Sequence, residues 1–170
     1  MTAFVALLRG VNLGKRQLRM DDLKRIATEL GLHSPRTYIA SGNLLFASDR
    51  TERRLKEELE AALEKHMGAP VGVMVRTAEE LGAVVRANPY DQQPANRVVA
   101  IFLDEPAPND ARDAARNLAD ERLALGKREI YVHYPSGQGL SKLQIPAAAK
   151  GTARNMNTVA KLAELAKEVE

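Results

Sequence analysis

Between Thr152 and Lys161 the chain gathers side chains that make directional hydrogen bonds, namely Thr152, Arg154, Asn155, Asn157 and Thr158, just where a helical pattern begins. A helix start exposes unpaired N–H groups and a partial positive charge, so residues placed there can hold an anion. Capping accounts for one Asn or Thr but gives Arg154 no task. Arg154 therefore reads either as an anion ligand or as a latch to a carboxylate or carbonyl of the other half of the chain. Both readings stand.

Near the front, Arg9, Asn12 and Lys15 follow an apolar run, and Gly10 and Gly14 could expose backbone amides beside them. Such a set can hold an anion. The run Gly-x-x-x-Gly-Lys invites comparison with a phosphate-binding loop of nucleoside triphosphatases, but that loop needs four residues between its glycines and a Ser or Thr after its lysine. Here three residues intervene and Arg16 follows. The next helical pattern also starts only around Met20, too late for its amides to cradle phosphate. What stands is a looser anion loop, set against a turn whose Gly and Asn only satisfy backbone geometry.

Other chemistry-bearing types are weaker. Ser41-Gly42-Asn43 is explained by a hairpin turn. Ser141 and Lys142 are adjacent, and neighbours do not face each other on a helix or strand. That excludes a Ser-Lys nucleophile from the pair alone, and Lys142 is kept as a further phosphate contact. His33, His66 and His133 are isolated and lack metal-ligand spacing, so no metal is expected. His33 reads as a loop residue, and His133 shares a strand face with Tyr131. Acidic pairs such as Glu57-Glu58 read as solvated helix faces.

The elements that position these residues follow from periodicity. Residues 4–8 form an apolar run suited to a strand covered on both faces. Leu23, Ile26, Ala27 and Leu30 recur at helical spacing after Asp21 and Asp22. Strands are expected at 37–40 and 44–47, then a helix carrying Leu55, Leu59, Leu63 and Met67 and ending at Gly68, then a strand at 71–75. That order, βαββαβ, is ferredoxin-like. Thr77-x-x-Glu80 predicts a capping box and a connecting helix that ends at Asn88-Pro89. A second βαββ order follows: a strand at 98–103, a helix through Ala111, Ala114, Ala115 and Leu118, and strands around Leu123 and at 130–134. Asn157 is a plausible cap for a final helix at 157–169. The fold class is α+β: two ferredoxin-like units packed together, with antiparallel sheets, helices on one face and the C-terminal helix docking back. The units are placed at 1–88 and 89–170. The repetition is one of element order, without a residue-by-residue repeat.

Composition narrows the partners. The chain has 170 residues, 45% of them hydrophobic, which suffices for one large core or two small ones. It has no cysteine and opens without a basic-then-apolar leader, and its apolar runs fall far short of the ~20 residues that span a bilayer. A cytoplasmic location and no membrane partner are expected. A net charge of +3, from 25 basic and 22 acidic residues, is a mild bias toward anions. With only three Phe and four Tyr for stacking, nucleic acid ranks below a small anion as partner.

In the segments Ala6-Leu7-Leu8-Arg9-Gly10-Val11-Asn12-Leu13-Gly14, Arg36-Thr37-Tyr38-Ile39-Ala40-Ser41-Gly42-Asn43 and Thr152-Ala153-Arg154-Asn155-Met156-Asn157-Thr158-Val159-Ala160-Lys161-Leu162, the sequence resembles a bacterial family described as domain of unknown function 1697. The likeness runs nearly end to end. It implies a pair of ferredoxin-like units. It brings no established activity, no cofactor and no catalytic residues.

The expected function is binding of a small phosphate-bearing ligand between the two units, by Arg9, Asn12 and Lys15 on one side and Lys142, Arg154, Asn155 and Thr158 on the other. The alternatives are a nucleic-acid-binding module and an interaction or scaffold protein. No catalytic constellation is identifiable, and the sequence is silent on oligomeric state.

Overall fold

The apolar run at 4–8 lies within β1 (Thr2–Leu8), whose last five residues are all buried. The computed structural model describes residues 1–12, 17–39 and 42–169. β1 pairs with β3 (Asn43–Ser48) and β4 (Val73–Thr77), and β3 pairs with β2 (His33–Thr37), giving the all-antiparallel order β2-β3-β1-β4. This is the strand order of the ferredoxin-like fold. Phe4 and Phe46 face each other in register and stack at 5.8 Å.

α1 (Met20–Glu29) and α2 (Glu52–Met67) supply the other half of this core, burying Leu23, Ile26 and Ala27, and Leu55, Leu59 and Leu63. Each fully buried leucine contributes about 1.5–3 kcal/mol. α2 is bounded as its sequence requires: the Thr51 side chain accepts from the N–H of Arg54 at 3.2 Å, and Gly68, at φ 74°, closes the other end. Along it Arg53–Glu57, Arg54–Glu58 and Lys56–Glu60 pair at i,i+4, the last pair also holding the backbone of Val73.

The second sheet repeats the order. β5 (Val98–Phe102), β6 (Arg122–Leu125), β7 (Glu129–His133) and β8 (Thr152–Asn155) lie as β6-β7-β5-β8, again antiparallel throughout. Gly126 turns the β6–β7 hairpin, its N–H donating to the Glu129 carbonyl at 2.7 Å. α3 (Ala78–Arg86) follows β4 and α4 (Met156–Ala166) follows β8.

The helix expected through Ala111, Ala114, Ala115 and Leu118 does not form. Consecutive turns run through 109–114, Asn117 takes φ 59°, and Arg116 forms an antiparallel bridge with Gln144. Of the four apolar residues expected on that helix only Ala111 is buried, so little apolar area was available to offset helix nucleation. Two strands shift by a few residues, and a third, β8, was not expected. β2 covers His33, which is therefore not a loop residue, and β4 extends to Thr77, which places Arg76 inside a strand. β8 takes Thr152 to Asn155, so the last helix starts one residue before Asn157.

Two compact units result: Met1–Gly82 with Leu162–Glu170, and Ala83–Lys161. The division falls inside α3 and inside α4. Among the described residues, no helix is long and apolar enough to cross a membrane.

Candidate functional site

At the end of β1 the first unit brings two polar segments together. The Leu8 N–H donates to the Gly42 carbonyl at 2.9 Å, and the Arg9 N–H donates to the Gly72 carbonyl at 2.8 Å. Gly10 (φ 69°) and Asn12 (φ 58°) are left-handed, while Val11 between them is buried. The Asn12 Oδ1 accepts from the Leu18 N–H at 2.7 Å, which ties the far side of this loop to a second buried anchor.

The turn between β2 and β3 closes against the same place. Tyr38 and Asn43 exchange two hydrogen bonds, from the Tyr38 N–H to the Asn43 carbonyl at 3.0 Å and from Asn43 Nδ2 to the Tyr38 carbonyl at 2.8 Å. Gly42 sits at φ 88°, and a Cβ added there would lie 2.7 Å from Val11 Cγ2 and 2.9 Å from Leu8 Cβ. Only glycine fits. Ile39 takes φ 47°, a conformation a β-branched residue adopts only when its surroundings impose it. Arg9 is exposed, with Cβ and Cδ running past Gly72 at 3.6 and 3.7 Å from where its Cβ would be. Lys15 lies outside the described residues.

The second unit places its candidates differently. Arg154 on β8 is paired in register with Ala100 and buried to 9% exposure, and its Nη1 donates to the Ala153 carbonyl at 2.9 Å. Burial pushes its pKa down to about 10, which leaves it cationic at neutral pH. Asn155, rather than Asn157, caps α4: its Oδ1 accepts from the Thr158 N–H at 2.9 Å. The backbone N–H of Thr158 is thereby committed. Thr152 is buried, and among the described residues its hydroxyl has no hydrogen-bond partner.

Lys142 belongs to another place. It lines a cavity of about 370 Å³ with Asp120, Glu121, Ser136 and Ser141, and none of Arg154, Asn155 or Thr158 lines it. Ser141 Oγ donates to Glu121 Oε2 at 2.5 Å, and Ser136 Oγ donates to Asp120 Oδ2 at 2.6 Å. The hydrogen bond from Ser141, with that from the Ala119 N–H, holds the Glu121 carboxyl below its ordinary range. A carboxylate so stabilised is a weak base, so the Ser141–Glu121 contact does not make a nucleophile. Among the described residues no three His, Asp or Glu side chains gather as metal ligands.

A model of the family described as "Protein of unknown function (DUF1697)" matches residues 1–131, more than half of the chain. The chain belongs to this family. Among solved structures, the conserved bacterial protein SP0830 from Streptococcus pneumoniae is similar to it, at 29% identity and a TM-score of 0.83, over 98% of this chain and 99% of that one. No curated protein matches.

Three side chains of this DUF1697 protein that sequence reasoning passed over meet in a further cavity of the second unit: Tyr90, Arg112 and Arg122. The arginines are ten positions apart across the irregular segment, so no periodic signal links them. Arg76, fully buried on β4, was equally unforeseen. The one signal for it was an arginine directly before a helix cap, in Arg76-Thr77 as in Arg154-Asn155.

Proposed function

We propose that this protein binds a small phosphate-bearing anion at the loop that follows β1, with Arg9 as the charged contact and backbone amides of the left-handed loop as further donors. The observation that carries this reading is the closure of the turn containing Gly42 onto Leu8 and Val11, which braces a glycine- and asparagine-bearing loop beside an exposed guanidinium. Loops with left-handed residues present N–H groups to anions, and a guanidinium binds phosphate oxygens in parallel pairs. Asn12 contributes by shaping the loop through its bond to Leu18, not as a ligand. The remaining candidates belong to the second unit: Lys142 lines a cavity with Asp120 and Glu121, Arg154 is buried, and Asn155 caps the N–H of Thr158. A nucleic-acid reading is weaker because Arg53, Arg54 and Lys56 of α2 are each offset by a glutamate. A cysteine-free chain similar to a streptococcal protein fits a bacterial cytoplasm.

A thermal-shift screen against inorganic phosphate, sugar phosphates and nucleotides tests this. A ligand at about a hundred times its Kd stabilises by about 2.7 kcal/mol, which for a chain of this size raises Tm by roughly 5–10 °C. Arg9→Ala, at an exposed position, should leave the ligand-free Tm within about 2 °C and remove most of the shift. No shift with any of these anions, or an equal shift in Arg9→Ala, overturns the reading.

A further inference from the structure

We propose that the second unit carries a separate binding site for a small organic oxyanion with an apolar body, in a cavity of about 360 Å³ lined by Tyr90, Arg112, Leu118, Glu121, Arg122 and Leu123. Two guanidinium groups line one cavity, and among the described residues neither forms an ion pair. The carboxylate that lines it, Glu121, already accepts from the Ala119 N–H at 2.7 Å and from Ser141 Oγ at 2.5 Å, and both donors line the neighbouring cavity that holds Lys142. The cavity thus keeps an excess of positive charge.

The arrangement is held in place. Arg112 Nη2 donates to the Leu123 carbonyl at 2.6 Å, which fixes one guanidinium against β6 and leaves its other N–H groups to a ligand. Arg122 opens β6 opposite His133, and the His133 ring lies 5.8 Å from the ring of Tyr90. Desolvation raises the Tyr90 pKa although Arg112 and Arg122 oppose it, so the phenol stays protonated and can donate. Leu118 is 50% exposed and Leu123 is buried, which gives the cavity an apolar wall beside its two cations. Forked donors select planar or tetrahedral oxyanions, and the leucines select a ligand with a hydrocarbon or aromatic part over inorganic phosphate.

The site is tested with benzoate and phenyl phosphate as probes and inorganic phosphate as control, following the Nε–H signals of the arginines by NMR in the full-length protein. Saturable shifts of the Arg112 and Arg122 signals are expected with both aromatic probes. Affinity should fall by about tenfold or more in Arg112→Ala/Arg122→Ala. Both positions are exposed, and Arg122→Gln alone gives the same test if the double variant does not fold. Arg9→Ala should leave the saturation of the Arg112 and Arg122 signals by both probes unchanged, which separates this site from the loop after β1. The proposal is overturned if no saturable shift occurs at these arginines, if a folded variant binds as tightly as the parent, or if inorganic phosphate binds there as well as phenyl phosphate does.

Discussion

Arg76 and Arg154 hold equivalent positions in the two sheets. Each lies on the strand that follows the second crossover, next to the first strand of its sheet, and each is followed at once by a helix cap. Both are buried, and each Nη1 donates to the carbonyl of the residue before it, Val75 or Ala153. The equivalence continues along the helices: Leu81 and Val84 are buried at the same offsets from Arg76 as Val159 and Leu162 are from Arg154. A residue-level repeat is therefore present where the strands hand over to α3 and α4.

The repeat predicts matched losses on removing the two caps. Thr77 Oγ1 accepts from the Glu80 N–H at 3.0 Å, with Glu80 returning a bond to the Thr77 N–H at 2.9 Å, and Asn155 caps Thr158 in the same way on one side. Thr77→Ala and Asn155→Ala should each destabilise by about 1 kcal/mol in denaturant melts. A loss confined to one of the two would show that the caps are not equivalent in energy.

Gly42 and Gly68 share a left-handed backbone but differ in surroundings. A methyl group at Gly68 would meet nothing within 4 Å, whereas one at Gly42 would collide with Val11 and Leu8. Gly68→Ala should cost about 1 kcal/mol from backbone strain alone. Gly42→Ala should cost about 2–4 kcal/mol, because overpacking is added to strain. Equal Cm values for the two variants would contradict the packing described at the end of β1.

Tyr131 makes stability depend on alkaline pH. It is buried, its hydroxyl donates to the Val84 carbonyl at 2.7 Å, and desolvation, with the nearby Glu129 charge, pushes its pKa up to about 12. Because the folded value lies above the unfolded value of about 10, its contribution is complete below pH ~10 and is lost as pH rises through ~12. Arg154 acts in the opposite sense in that window, since its folded pKa is lowered, but it is common to the parent and Tyr131→Phe. The parent should be about 1–3 kcal/mol more stable than Tyr131→Phe near neutral pH, and this advantage should shrink between pH 10 and 12. Urea melts across that range check it; a constant difference would show that folding does not raise the phenol's pKa.

How much was legible follows from how local each signal is. The Thr77–Glu80 capping box, the Gly68 stop and the leucine stripe of α2 are written within a few residues, and all three appear in the structure. The first strand, read from the apolar run at 4–8, is equally local. The stretch 111–118 misled because alanines at helical spacing mimic an amphipathic stripe, yet only Ala111 is buried. β8 was hidden because its inward residues are Thr152 and Arg154, polar types that periodicity reads as surface. The same holds for Arg76. In the candidate sites, Arg9 and its glycine could be picked out from their place after an apolar run. The meeting of Gly42 with Val11, and of Arg112 with Arg122, depends on backbone closure between distant segments, which no local pattern encodes.

The central claim is that the loop after β1 receives an anion. Its most direct test is a titration of the full-length protein with inorganic phosphate at low ionic strength, following backbone amides by NMR. The amides of Gly10, Val11 and Asn12 should move saturably and together, and Arg9→Ala should abolish the movement. Amides of this loop that stay still while phosphate shifts signals elsewhere, or drift without saturating, would contradict it.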